Sequence, residues 1–191
     1  MSGDRQVKVL YDERTIAERT EALAREIAAA KPKDLLVVAI LKGSFMFAAD
    51  LLRALHRVGL EPQVEFFHLS SYLSGAVSSG TVKILRDIDS SVRDRDVVLI
   101  DDILESGRTL AFAKDLLTAR GARRVLVCTM LEKPGKRAVK IDADFVGFVC
   151  PDVFVVGYGM DVAHSYRELP FIGRVVTAED AAAIPEAATG V

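Results

Sequence analysis

Between Asp12 and Ala30 the apolar positions Ile16, Leu23 and Ile27 recur at helical spacing among Glu and Arg, which predicts an amphipathic helix; Thr15 and Glu18 have the spacing of a capping box near its start. The pattern then changes. LLVVAI, Leu35 to Ile40, is a continuous run rich in β-branched residues, the signature of a strand covered on both faces. A polar turn, LKGS, leads into a second helical pattern from about Phe45 to Val58, which Gly59 ends. VEFFHLSS (Val64 to Ser71) reads as a strand, the Gly/Ser-rich stretch YLSGAVSSG is too polar to pack, and TVKIL reads as a short alternating strand. The clearest strand, helix, strand unit comes next: VVLI (Val97 to Ile100), two aspartates, a short loop with Gly107, a helix to about Arg120 capped by Gly121, and then VLVCTM. FVGFV and FVVGY are strand-like runs in the last third, followed by MDVAHSYRELPFIG and an Ala-rich tail expected to fray. Without repeats or a linker, this order predicts a single α/β domain over residues 1–191, with a mainly parallel twisted sheet flanked by helices.

Composition narrows the ligand rather than the fold. Of 191 residues, 50% are hydrophobic and 27% charged, with a formal net charge of -2, enough apolar content for one compact core and no basic surplus. No electrostatic footprint for nucleic acid or a membrane surface follows from that balance, whereas a local pocket for an anionic small molecule stays open. Cys128 and Cys150 both lie in apolar runs without the spacing of a zinc or redox motif, so they read as buried thiols in a reducing compartment. The charged opening MSGDRQVKVLYDER does not suit a signal peptide, and no run approaches the roughly 18 apolar residues of a membrane span. The expected location is the cytoplasm.

In open α/β sheets ligands bind beyond the carboxyl ends of the strands, so the turns after apolar strands are where chemistry is to be sought. The segment Ile100-Asp101-Asp102-Ile103-Leu104-Glu105-Ser106-Gly107-Arg108-Thr109 places three carboxylates before a small-residue turn into a helix. Ser106, Gly107, Arg108 and Thr109 would present backbone N–H groups and hydroxyls at a helix N-terminus, where a phosphate dianion is favoured. Asp101 and Asp102 cannot face that phosphate without repulsion. They need ribose hydroxyls or a cation, and magnesium suits carboxylates beside a polyphosphate. A sugar phosphate with a metal satisfies both halves.

The ten residues together resemble the phosphoribosyl pyrophosphate motif of the type I phosphoribosyltransferases. From about Leu36 to Gly173 the chain resembles the hypoxanthine-guanine branch of that family: Leu41-Lys42-Gly43 is similar to its pyrophosphate loop, Ser71-Tyr72 to the start of its flap, Lys133-Pro134 to its purine-contacting turn, and Phe154 to Asp161 with Arg167 to its base-binding hood. The resemblance implies a hood drawn from the chain-end segments, about 1–15 and 150–180. It also implies a dimer or tetramer.

The same resemblance implies magnesium-dependent transfer of phosphoribosyl from phosphoribosyl pyrophosphate to hypoxanthine or guanine, giving IMP or GMP and pyrophosphate. In it Lys42, Gly43 and Arg167 hold pyrophosphate. Asp101 and Asp102 hold the ribose and its magnesium, and Asp161 a second magnesium. Lys133, a donor only, favours a 6-oxo group, while Phe154 stacks on the purine and the Val155 backbone meets the ring edge. Glu105 falls where the family carries the acid that handles the purine proton. Two departures occur in this loop: the family usually has aspartate at position 105 and glutamate at position 101. Two other readings stay open at this point, a xanthine-preferring enzyme and a non-catalytic nucleotide-sensing regulator.

Overall fold

A computed structural model describes residues 6–71 and 82–176. Its main body is a six-stranded sheet. β2 (Leu36–Leu41) is followed by α2 (Phe45–Arg57) and β3 (Gln63–Ser71), and β5 (Asp96–Leu104) by α3 (Arg108–Ala119) and β6 (Arg124–Glu132). With β4 (Val82–Arg86) and β7 (Phe145–Val149) the strand order is β4-β3-β2-β5-β6-β7, every pairing parallel except β3 with β4. The mixed α/β architecture read from the alternating pattern is therefore the one adopted.

Burial explains why these runs are strands. Leu36, Val38 and Ile40 enter one apolar cluster with Leu110, Ala113 and Leu117 of α3. Val37 and Ala39 enter another with α1 (Glu13–Ala29) and α2. A strand covered on both faces has no polar side to show, hence the unbroken apolar run. α1 buries Ile16, Thr20, Leu23, Ala24 and Ile27, and α2 buries Phe47, Ala48, Leu51, Ala54 and Leu55, each a stripe of period 3.6. Gly59 stands past the end of α2 with φ 83°, and both cysteines are buried free thiols.

Three local expectations are corrected. The helix N-cap is Asp12, whose carboxylate accepts from the Thr15 amide at 2.7 Å; Glu18 pairs instead with Arg14, so Thr15 and Glu18 form no capping box. β5 does not end at Ile100 but carries Asp101 and Asp102 on to Leu104, because its pairing with β6 continues through Asp101 with Thr129 to Leu104 with Glu132. β4 does not alternate: Lys83, Ile84, Leu85 and Arg86 are all exposed, as suits a strand at the edge of the sheet.

A second sheet comes from segments distant in sequence. β1 (Val7–Tyr11), β8 (Val155–Val156) and β9 (Ile172–Val175) pair antiparallel in the order β1-β9-β8. Neither β1 nor β9 was legible as a strand. Tyr11 anchors this sheet to the main one, stacking on Phe148 with ring centroids 4.2 Å apart and donating to the Val149 carbonyl. Among the described residues no helix is long and apolar enough to cross a membrane.

Candidate active site

The carboxyl ends of β2, β5 and β6, together with the residues flanking β8, surround two adjoining cavities of about 300 and about 380 Å³. Asp102, Ile103 and Glu105 line both and form the wall between them. The first cavity adds Gly43, Asp101, Ser106, Gly107 and Thr109; the second adds Lys133, Phe154, Val155 and Asp161, with Lys136 and Asp152. Residues more than a hundred positions apart in the chain thus meet at the sheet edge where α/β folds bind ligands.

Each wall has a local cause. Gly107 is the N-cap of α3 with φ 79°, a left-handed conformation that costs glycine little and leaves the first amides of the helix open toward the cavity. Arg108, expected on the phosphate, does not line the cavity; its amide faces the Ser106 hydroxyl at 3.4 Å. On the opposite wall the Gly43 backbone lies against the Asp102 carboxylate so closely that a Cβ there would sit 1.8 Å from Oδ2. Lys42 follows a cis Leu41–Lys42 peptide and is exposed, and the Ser44 hydroxyl donates to the Ile40 carbonyl at 2.6 Å beneath it.

Charge in the wall is uneven. Burial, and then the neighbouring Asp102, hold the Asp101 carboxyl well above the usual carboxylate range. Burial also raises Asp102, against the lowering influence of hydrogen bonds from its surroundings and of the Arg167 charge. Among the described residues no Lys or Arg forms an ion pair with either group. An adjacent carboxylate pair that no ion pair neutralises, beside the Ser106–Thr109 turn, is a donor set that suits a divalent cation shared with phosphate oxygens. Among the described residues no three His, Cys, Asp or Glu converge as a protein-only metal cage. Asp161 is engaged by Arg167 at 2.6 Å and accepts from the His164 amide at 2.8 Å, while Arg167 also donates to the Gly159 carbonyl at 2.6 Å.

The second cavity presents an aromatic and two ammonium groups. Phe154 is 58% exposed, far from a core aromatic. Lys133 is 6% exposed, with its ammonium 3.5 Å from Glu105 Oε1. Lys136 lies 3.6 Å from the same oxygen and 2.7 Å from Asp152. Sequence reasoning missed Lys136 and Asp152. The signal was available for Lys136: it closes the 3₁₀ turn Pro134–Lys136 three residues after Lys133, and at that spacing side chains eclipse. Ser71 ends β3, and its side chain, like Tyr72, lies outside the described residues.

Comparison with known proteins agrees with this architecture. A model of the phosphoribosyl transferase domain matches residues 6–163, and the chain belongs to the phosphoribosyltransferase family. Its relatives place it more narrowly. It is 41% identical to the hypoxanthine phosphoribosyltransferase of Escherichia coli strain K12 over 177 residues, covering 91% of this chain and 98% of that protein. It is 47% identical over 167 residues to the bifunctional protein TilS/HprT of Listeria innocua, where 87% of this chain spans only 25% of the relative's length. A solved hypoxanthine-guanine phosphoribosyltransferase from Bacillus anthracis superposes with a TM-score of 0.83 at 40% identity, over 90% of this chain and all of that one.

Proposed function

We propose that this chain is a purine-salvage enzyme that transfers phosphoribosyl from phosphoribosyl pyrophosphate to hypoxanthine or guanine, giving IMP or GMP and pyrophosphate. The observation that carries the reading is the shared wall of Asp102, Ile103 and Glu105 between an anion-binding cavity and a cavity with an exposed aromatic and a buried lysine. Two ligands seated on either side of Glu105 would meet there.

In this reading the 5′-phosphate rests on the amides and hydroxyls of Ser106, Gly107 and Thr109. Arg108 contributes through its backbone. Asp101 and Asp102 accept from the ribose hydroxyls and would hold magnesium, whose contribution would be to neutralise charge on the pyrophosphate. The Gly43 backbone, Lys42 and Arg167 receive the pyrophosphate; Asp161, which pairs with Arg167, would be the residue to hold a second magnesium by family resemblance. Phe154 stacks on the base, Val155 offers its backbone to the ring edge, and Lys133 donates to the 6-oxo oxygen. A ring nitrogen attacks the anomeric carbon as the bond to pyrophosphate breaks, through a state with positive charge on the ribose. The purine proton passes to Glu105. Ser71 and Tyr72 would begin a lid that keeps water from the ribosyl centre.

The test is pyrophosphate release from phosphoribosyl pyrophosphate with hypoxanthine, guanine, xanthine and adenine in parallel, each with magnesium and with a chelator. Metal-dependent turnover of hypoxanthine or guanine with adenine inert is expected. Preference for xanthine would redefine the base, and no turnover with any base would overturn the reading.

A further inference from the structure

The proposed mechanism leaves unused a half-buried guanidinium that lies against the Glu105–Gly107 turn. Arg137 lies just past the 3₁₀ turn, and its Nη1 donates to the carbonyls of Leu104 and Glu105, at 2.7 Å each, and lies 3.3 Å from that of Lys133. Its Nη2 is hydrogen-bonded to the Glu132 carboxylate, so the whole group is held from the β6 side. Two backbone bonds extend the same seam: the Lys133 amide donates to Leu104 at 3.0 Å and the Ala138 amide to Ser106 at 2.9 Å. Three successive carbonyls, those of residues 104, 105 and 106, are thereby turned toward the 133–139 segment.

Peptide planarity gives that seam a consequence. In a trans peptide the carbonyl of one residue and the N–H of the next point to opposite sides. Carbonyls drawn onto Arg137 and its neighbours therefore turn the amides of Glu105, Ser106 and Gly107 the other way. Glu105, Ser106 and Gly107 line the anion-binding cavity, and among the described residues the Ser106 and Gly107 amides donate to no other backbone group outside regular elements. A row of unpaired amides facing one way is a nest for an anion, and it is effective only if it is rigid before the anion arrives.

From this geometry we infer that Arg137 is a positioning residue for the phosphate turn: by fixing the Leu104 and Glu105 carbonyls it pre-aims the Glu105 and Ser106 amides at the 5′-phosphate of the ribosyl substrate, while the Ala138 bond to the Ser106 carbonyl does the same for the Gly107 amide. It touches no substrate itself. Arginine suits the task because its planar fork can hold carbonyls and a carboxylate at fixed angles, which a lysine ammonium does not reproduce. The same fixing sets where the Glu105 side chain leaves the backbone. The inference rests on the proposed function for the identity of the anion, although not for the geometry of the turn.

The experiment is direct binding of ribose 5-phosphate by calorimetry, alongside steady-state kinetics, to the wild-type chain and to Arg137→Ala, Arg137→Lys and Glu132→Gln variants. Ribose 5-phosphate binding by the wild-type chain reports on the phosphate turn whatever base is used, so failure of the salvage reading and failure of this inference are separable. For Arg137→Ala the dissociation constant for ribose 5-phosphate and the KM for phosphoribosyl pyrophosphate should rise at least tenfold, with the KM for hypoxanthine changed less than threefold. Arg137→Lys should recover part of the loss, and Glu132→Gln, which keeps the carbonyl bonds, should fall less than Arg137→Ala. Ribose 5-phosphate affinity within twofold of wild type in Arg137→Ala would overturn the proposal. So would an equal loss for both substrates in Arg137→Lys at unchanged melting temperature, because that outcome separates the effect from the phosphate turn.

Discussion

Gly159→Ala is the substitution whose cost follows most directly from the backbone. Gly159 has φ 96°, and a Cβ built there would lie 2.2 Å from the Gly43 carbonyl oxygen, where real Cβ contacts essentially never fall below 3.0 Å. The two backbones must separate by about 0.8 Å, the difference between those distances. Neither side yields easily. The 157–160 turn is held by Gly157 to Met160, Tyr158 to Leu169 and Gly159 to Arg167 backbone bonds, and by the Tyr158 hydroxyl donating to Asp50 at 2.6 Å. The Gly43 side is held by the Phe45 amide on the Lys42 carbonyl and by Ser44 on Ile40. Strain at a non-glycine residue in this conformation costs about 1–3 kcal/mol. At roughly 2–4 °C per kcal/mol for a chain of this size, the melting temperature should fall by roughly 2–12 °C. A displacement approaching 1 Å in either the Gly43 loop or the Asp161–Arg167 pair should lower kcat/KM by on the order of 100-fold. Pyrophosphate release and a thermal melt read both quantities. A variant with kcat/KM within threefold of wild type and an unmoved melting temperature would refute the close approach.

Glu105→Gln should bind both substrates with KM values near wild type and lose about 10²–10⁴-fold in kcat, the range for a general base; unchanged turnover would remove Glu105 from the mechanism. Phe154→Ala should leave stability within about 0.5 kcal/mol, because the ring is 58% exposed, while raising the KM for the base; a large drop in melting temperature would instead make the ring structural. Asp96 is fully buried at the opposite end of the sheet; burial pushes its carboxyl up, but the Lys33 amide, Arg124 and Arg123 outweigh burial and hold it below its ordinary 3.8. A depressed folded value contributes stability above the unfolded value and loses it as pH falls through the folded one. Asp96→Asn should therefore cost about 1–3 kcal/mol at neutral pH, with the gap to wild type closing below about pH 4 in denaturant melts; a gap independent of pH would refute the assignment.

What could be read from the chain alone was what depends on neighbours in sequence. The apolar run at Leu35 to Ile40 and the stripes of α1 and α2 announce strands and helices because burial selects side chains with the period of the element. The Asp101 to Thr109 segment was legible for the same reason, since its carboxylates, its glycine and its helix start are contiguous. Tertiary structure decided whatever depends on contacts between distant segments. β1 and β9 are short strands that exist through their pairing with each other and with β8, and no local periodicity could reveal them. The resemblance put Phe154 and Lys133 on the purine, but only the tertiary structure decided that the aromatic of an apolar run stands exposed and the lysine buried. Arg137 is the sharpest case: its side chain is polar and unremarkable in sequence, and its place becomes visible only once β5 and β6 lie side by side and bring the Leu104 and Glu105 carbonyls within its reach.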